Sequence, residues 1–304
     1  MGTESFEKNE PMSCAAHSRR RFLATGASAA VAAIAGAPSV HAASAATVSS
    51  DAGVALVFDP VRKNLIKASA SGLARSNDGG LHWTPLTPPA GLPSASVLSL
   101  AVAAGGNGTL YVAGHGVGVM RSDDGGRHWS PRNKGLPGKE PAAVAAHADR
   151  PETIYAYFAG KGFFRSEDGG RQWRLMDKGP SGGITQFVHS NMPGSMQSGW
   201  LFAAAPTGVQ RSMDCFCGWR DAGHLPRPVH AVGYDPRQPR TVHAAAGAQL
   251  LTSSDGGATW TPSSAPPAPV EALVVADGVL IGMTADGRVF RRGTPAGGWE
   301  RADA

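Results

Sequence analysis

One eight-residue pattern recurs along this chain and constrains its fold more than any other feature. The pattern Ser-x-Asp-Gly-Gly-x-x-Trp occurs in full at residues 76–83, 122–129, 166–173 and 253–260. Two worn copies keep the spacing: 212–219 has lost the Gly-Gly pair, and 292–299 retains only a glycine before its tryptophan. The six closing tryptophans lie 46, 44, 46, 41 and 39 residues apart. A fixed period in this range is typical of repeat folds, and four-stranded propeller blades are among the units of this length.

The residue types in the pattern predict a tight turn between two strands. The aspartate accepts backbone N–H groups from the residues that follow it, and the glycines supply the positive φ that such a turn needs. The tryptophan opens the next strand and places a large ring between neighbouring sheets. An alternative role in metal binding or acid catalysis would require a ligand at every copy. We therefore predict that the box residues are structural: Ser76, Asp78, Trp83, Ser122, Asp124, Trp129, Ser166, Asp168, Trp173, Ser212, Asp214, Trp219, Ser253, Asp255 and Trp260.

Between the boxes the chain alternates short apolar runs with Gly- and Pro-rich links, and no segment keeps a helical period. The predicted fold is all-β, a six-bladed β-propeller of four-stranded antiparallel blades. Links from the fourth strand to the next blade share one end of the ring, which we call the connector face. The box turns share the opposite end, the box face. A cleft near the central channel is the default position for a ligand.

The boxes resemble the Asp-box, or BNR, repeats of sialidase-like β-propellers, sortilin-type receptors and photosystem II assembly factors. This resemblance covers nearly all of the chain after the N-terminal segment and implies a propeller. It also implies a binding site on the connector face, where propellers of this superfamily generally bind. It implies less about function, because the superfamily includes hydrolases, receptors and assembly chaperones.

The N-terminal segment is predicted to be an export signal. Arg19 and Arg20 precede an uncharged, small and apolar run, and an Ala-x-Ala-like cleavage site follows at 40–42. We predict a twin-arginine signal peptide over 1–42 and a propeller over 43–304. A membrane anchor is the alternative if cleavage fails, but the run is short for a span and rich in Ala and Gly. The expected location is the periplasm or outside the cell, without stable membrane insertion.

The net charge and the positions of the glutamates limit the functions that the chain can have. Residues 43–304 hold 24 Lys and Arg against 20 Asp and Glu, a mild excess without the basic cluster that nucleic-acid binding needs.

A sialidase-like glycoside hydrolase, the alternative function, needs an arginine cluster, a tyrosine nucleophile and acidic partners. Of the five glutamates after residue 42, only Glu140 and Glu271 are expected near the connector face. His230 and Glu271 begin adjacent first strands, so these two, with Glu140, are the predicted ligand rim.

Two further sets of residues leave alternatives open. In five blades the third strand carries one arginine, at 75, 121, 165, 211 and 291. These arginines form either a regular basic band or, as we favour, isolated side chains whose apolar stems lie on the blade surface beside carboxylates. The second set is Cys215 and Cys217, the two cysteines after residue 42. In an oxidising compartment they are expected to form a small-ring disulfide. The alternatives are thiol redox chemistry or a copper site with Met192 and Met196, since thiolates and thioethers favour Cu(I).

These observations together predict a non-catalytic protein-binding or assembly scaffold. The resemblance to assembly factors implies a partner that is another protein of the cell envelope. No cofactor is expected, and the protein is expected to be a monomer.

Overall fold

The computed structural model describes residues 53–69, 72–92, 97–293 and 297–302. The predicted export signal at 1–42, with Arg19, Arg20 and Cys14, lies outside the described residues. All regular secondary structure within the described ranges is β-strand. Those ranges contain no helix that is long and apolar enough to cross a membrane.

In the described part of the chain, twenty-four strands form six sheets of four, and each sheet is antiparallel with its strands in chain order. The strands of blades 1 to 3 are β1 (Gly53–Asp59), β2 (Asn64–Ser69), β3 (Gly72–Ser76), β4 (Thr84–Leu86), β5 (Val97–Val102), β6 (Leu110–Gly114), β7 (Gly118–Ser122), β8 (Ser130–Pro131), β9 (Ala143–Ala146), β10 (Ile154–Phe158), β11 (Gly162–Ser166) and β12 (Arg174–Asp177). Those of blades 4 to 6 are β13 (Gln186–Ser190), β14 (Trp200–Ala205), β15 (Gly208–Met213), β16 (Arg220–Asp221), β17 (Ala231–Asp235), β18 (Gln238–Ala246), β19 (Gln249–Ser253), β20 (Thr261–Ser263), β21 (Val270–Ala276), β22 (Val279–Thr284), β23 (Val289–Arg292) and β24 (Glu300–Arg301).

The six sheets close into a ring, which confirms the predicted six-bladed propeller. The first strand of every blade contacts the first strand of the next, and β21 contacts β1 to complete the circle. The apolar core lies between neighbouring blades. Ile66 and Ala68 of blade 1, for example, pack against Leu100 and Val112 of blade 2. First strands are rich in alanine and valine because six of them converge around one axis, where small side chains fit.

Each intact box turn is closed by its own side chains. In the box of blade 2, the Ser122 hydroxyl donates to Asp124 at 2.8 Å and accepts the N–H of Gly126 at 2.8 Å. Asp124 also accepts the N–H of His128 at 2.9 Å. Gly126 has a φ of +91°, a conformation that residues with a side chain rarely adopt. The turn therefore needs glycine for its conformation.

From the second blade onward the box tryptophans join neighbouring blades, whereas the indole N–H of Trp83 donates to the Gly80 carbonyl of its own box. The indole N–H of Trp129 donates to Thr87, that of Trp173 to Arg132 and that of Trp260 to Ala222, at 2.9, 2.8 and 2.6 Å, and each acceptor is a backbone carbonyl of the preceding blade. Each of these three rings is thus fixed at a blade boundary by a polar contact as well as by packing.

The third-strand arginines also join blades. Arg121 donates to the Gly169 carbonyl at 3.1 Å, and Arg211 donates to the Gly256 carbonyl at 2.6 Å; both acceptors are in the box turn of the following blade. Arg75 and Arg165 make the same kind of contact with Gly125 and Asp214. The structure fits the second interpretation, in which the arginines lie on the blades beside carboxylates, better than a basic band. In addition, these four arginines donate hydrogen bonds to the following blade. Arg121, Arg165 and Arg291 pair with Glu152, Glu167 and Glu300.

The worn box of blade 4 departs from the predicted turn. Phe216 takes the place of the second glycine with a φ of +57°, and its N–H donates to Met213 instead of to the serine hydroxyl. The Ser212 hydroxyl donates to the Met213 carbonyl. Asp214, predicted to cap its own turn, instead accepts the N–H and O–H of Ser198. Loss of the Gly-Gly pair has changed the turn and freed the carboxylate to face the protein interior.

Candidate functional site

A cavity of about 550 Å³ follows the axis of the ring. All six first strands contribute to its wall, which is mostly alanine, valine and leucine. The polar side chains of the wall are Ser99, His147, Thr185, Gln186, His189, His230, Tyr234 and Glu271. Among the lining residues in the described ranges, Glu271 contributes the single carboxylate. The channel therefore offers an apolar surface with polar groups concentrated toward its two ends.

The connector-face end of the cavity carries His230 and Glu271. Their Nδ1 and Oε2 atoms lie 3.8 Å apart, and each side chain is about one-third exposed, at 35% and 36%. Because both also line the cavity, solvent reaches the channel at this point. His230 precedes β17 and Glu271 is the second residue of β21, so two adjacent blades supply the pair. It presents an imidazole and a carboxylate to any ligand that enters from this face.

Glu140, the third residue of the predicted rim, is engaged elsewhere. Its carboxylate lies 2.5 Å from Nδ1 of His115 and accepts the N–H of Gly116 at 3.0 Å. The hydrogen bond with His115 lowers the pKa of Glu140. Glu140 is more than half exposed and does not line the described cavity. The structure thus brings together His230 and Glu271 but leaves Glu140 at blade 2.

A buried polar cluster closes the box-face end. His147 follows β9, His189 lies in β13, and Asp214 comes from the worn box; all three side chains are buried. Nε2 of His147 lies 2.7 Å from the Ser198 hydroxyl, which donates to Asp214 at 2.5 Å. Nε2 of His189 points at the same carboxylate from 3.6 Å. The imidazole rings of His147 and His189 stack with centroids 3.9 Å apart.

Backbone contacts assign the protons of both imidazoles. Nδ1 of His147 accepts the N–H groups of Asp149 and Arg150, and Nδ1 of His189 accepts that of Ala148. A neutral imidazole that accepts at Nδ1 carries its proton on Nε2. Both Nε2–H groups therefore face the Asp214 carboxylate or its serine partner.

The pKa values of the cluster follow from burial and these bonds. Burial lowers the pKa of His147 to about 3, with the neighbouring His189 contributing in the same direction. Burial of Asp214 opposes its ionisation, but the nearby His189 imidazole and the hydrogen bonds from Ser198 outweigh that effect and lower the pKa of the carboxyl to about 2. At neutral pH the cluster therefore holds an ionised Asp214 and a neutral His147.

The same three residues have ligand atoms within 4.8 Å of one another, the spacing of a metal site. A metal needs the Nε2 lone pair of each histidine, and the assigned tautomers place protons there. Moving those protons to Nδ1 would direct them at backbone N–H groups. The donor set fits a hydrogen-bonded network better than an ion.

Sequence reasoning missed this cluster. Two signals pointed to it: Asp214 stands in a box without the Gly-Gly pair that its turn function needs, and His147 and His189 end first strands of adjacent blades. The contribution of Ser198, from the link between β13 and β14, has no comparable signal.

The cysteine pair lies on the box face beside this cluster. The Sγ atoms of Cys215 and Cys217 are 2.6 Å apart, and Cys217 is exposed. Met192 packs with Val229 and Trp260 at the boundary with blade 5, whereas Phe216, between the cysteines, packs toward blade 3. Met196 is exposed. Met192 is thus held at the boundary with blade 5, whereas Phe216 packs on the other side of blade 4.

Comparison with known proteins finds solved structures with the same propeller fold. No family model and no curated protein sequence matches the chain. Solved structures do match, among them a GH74 xyloglucanase from Xanthomonas campestris, with a TM-score of 0.57 and 18% identity over 83% of this chain and 54% of that one. YCF48 bound to D1 peptide has a TM-score of 0.54 and 17% identity over 81% of this chain and 94% of that one. The nidogen/laminin complex has a TM-score of 0.58 and 10% identity over 78% of this chain and 88% of that one. The chain spans about half the length of the GH74 chains it matches.

Identities this low establish a shared propeller fold and nothing finer. The neighbours include both GH74 enzymes and proteins solved with a bound peptide or protein partner, so the fold alone does not choose between catalysis and binding.

Proposed function

We propose that this protein is an exported, non-catalytic scaffold that binds a segment of another protein at the connector-face opening of its channel. The observation that carries the proposal is the character of the cavity: an apolar wall, an open rim with one His–Glu pair, and one carboxylate among the described lining residues. Such a cavity suits apolar side chains of an extended segment, with a polar or basic group at Glu271.

Two wider features belong to the same proposal. The chain is assigned to the Asp-box (BNR) superfamily on its repeated turns, and the twin-arginine motif at Arg19 and Arg20 directs the folded protein to the periplasm or beyond. The solved neighbours with D1 peptide and with laminin show that this fold can hold a polypeptide. The partner of this chain is accordingly sought among proteins of the cell envelope.

Glycoside hydrolysis is the competing function and fits the site less well. A retaining or inverting glycosidase generally sets two carboxyl groups about 5–9.5 Å apart across the scissile bond. Asp214, at the box-face end of the channel, is buried, with the Ser198 hydroxyl donating to it and the His189 imidazole 3.6 Å away. The described channel therefore lacks an accessible second carboxyl group beside Glu271.

The proposal is tested with peptides selected against the immobilised protein from a displayed library. We expect Glu271→Arg to weaken the selected peptides at least tenfold, because it reverses the charge at the opening. Glu300→Arg is the matched control, since that side chain is 74% exposed on the outer strand β24. Equal weakening by both variants would contradict the proposal. Turnover of xyloglucan or a fluorogenic glycoside that is lost in Glu271→Gln would replace it with the hydrolase.

A further inference from the structure

The worn box of blade 4 holds two thiols side by side on an exposed turn. Cys215 and Cys217 are separated by one residue, their sulfur atoms are 2.6 Å apart, and Cys217 is exposed while Cys215 is partly so. No other cysteine occurs after residue 14. Any thiol chemistry of the propeller is therefore confined to this turn.

The residue between them explains the arrangement. Phe216 occupies the position of the second box glycine, whose φ in the intact boxes runs from +83° to +100°, and it keeps a left-handed φ of +57°. For a bulky residue this conformation is strained and needs support from its surroundings. The buried ring provides that support: its centroid lies 5.7 Å from that of Phe163 and 6.5 Å from that of Trp219.

Packing of Phe216 therefore holds the turn in one shape whether or not the sulfur atoms are bonded. The left-handed residue brings its two neighbours together, so closing the bridge requires little further ordering of the chain. A bridge across one residue forms a small ring, and it is open to solvent on the Cys217 side. Strained or exposed bridges are the reducible ones, whereas structural bridges resist reduction.

We propose that Cys215 and Cys217 form a reversible dithiol–disulfide site that exchanges with cysteine thiols of a polypeptide. A substrate thiolate attacks Sγ of the exposed Cys217, which forms a mixed disulfide and releases Cys215 as a thiolate that takes up a proton. A second substrate thiol then gives up its proton and attacks the substrate sulfur of that bond. This releases Cys217, leaves the substrate with a disulfide and leaves the protein with two thiols.

Two electrons and two protons pass from the substrate dithiol to the protein in each cycle. A small-molecule disulfide such as glutathione disulfide accepts them and restores the bridge, releasing two glutathione thiols. This site goes beyond polypeptide binding at the channel, because it lies on the opposite face and needs neither His230 nor Glu271.

The test uses the full chain with Cys14→Ser, equilibrated in glutathione buffers from fully reduced to fully oxidised, then acid-quenched and labelled with a maleimide. We expect the protein to pass from two labelled thiols to none within that range, with unchanged far-UV circular dichroism. The oxidised protein should then convert a synthetic two-cysteine peptide to its disulfide with one-to-one stoichiometry. Thiols that stay labelled in oxidised buffer, a bridge that reduced glutathione does not open, or failure to oxidise the peptide would each overturn the proposal.

Single variants test which sulfur is attacked. Cys215→Ser leaves the exposed Cys217 and should form a mixed disulfide with glutathione disulfide at least fivefold faster than Cys217→Ser, which leaves the less accessible Cys215. Equal or reversed rates would overturn the assignment of Cys217 as the entry point.

Discussion

Arg121 is the residue whose removal tests most sharply how the blades are held together. Its guanidinium donates to Asp123 at 2.8 Å, to Glu152 at 2.9 Å and to the Gly169 carbonyl of the next blade at 3.1 Å. The Arg121 side chain is 9% exposed, whereas Asp123 and Glu152 are 58% and 49% exposed. Arg121→Met keeps most of the packing of the stem and removes every donor.

The structure sets the size of the expected effect. Breaking a fully buried ion pair costs about 3–5 kcal/mol, but water can reach both carboxylates here, so this contribution is smaller. Loss of the donor to the Gly169 carbonyl adds about 1–3 kcal/mol. We expect a total loss of about 2–3 kcal/mol, which for a domain of this size lowers Tm by about 4–12 °C.

Urea unfolding followed by tryptophan fluorescence measures this loss. Arg174→Met is the matched control: its partner is Glu167, the arginine side chain is 66% exposed, and exposed pairs contribute about 0–1 kcal/mol. An unfolding free energy for Arg121→Met no lower than that of Arg174→Met would refute the view that these arginines join the blades.

Two further predictions concern the box face. The pKa of His147 is about 3 in the folded protein, against an ordinary value of 6.5. As the pH falls, the unfolded chain therefore binds a proton at this histidine before the folded protein does. The free energy of unfolding should thus decrease below pH 6.5 by up to about 1.4 kcal/mol per pH unit. His147→Asn should flatten the urea midpoint plotted against pH, and an unchanged slope would contradict this. Ser122→Ala should cost about 1–3 kcal/mol because it leaves the buried Gly126 N–H without an acceptor. Ser212→Ala, in the worn box where the hydroxyl only donates to Met213, should cost less in the same assay, and equal losses would contradict the described turns.

The repeated turn was sufficient to predict the fold because its physics is local. Ser122, Asp124 and Gly126 are within four residues of one another, so their bonds can be read from the pattern. The ring follows from the period, since six equal units that each leave an apolar face uncovered must bury those faces against one another.

Contacts between separate loops could not be predicted in the same way. Asp214 was assigned to its own turn, yet its partners Ser198 and His189 come from elsewhere in blade 4, and His147 comes from blade 3. The rim pair was easier, because His230 and Glu271 occupy equivalent positions in adjacent blades and the repeat itself aligns them. The sequence offers no titratable residue at the position equivalent to Glu140 in an adjacent blade, so its place could not be predicted in this way.

Photo-crosslinking in cells that produce the protein tests the central claim, that a polypeptide binds at the connector face, most directly. A photoreactive amino acid replaces Thr185, an exposed residue that lines the channel just before β13, in one variant and the exposed Met196 on the box face in another. Binding at the connector face predicts one or a few discrete protein adducts from position 185 and none of these from position 196. Adducts that form equally from both positions, or only from position 196, would contradict it.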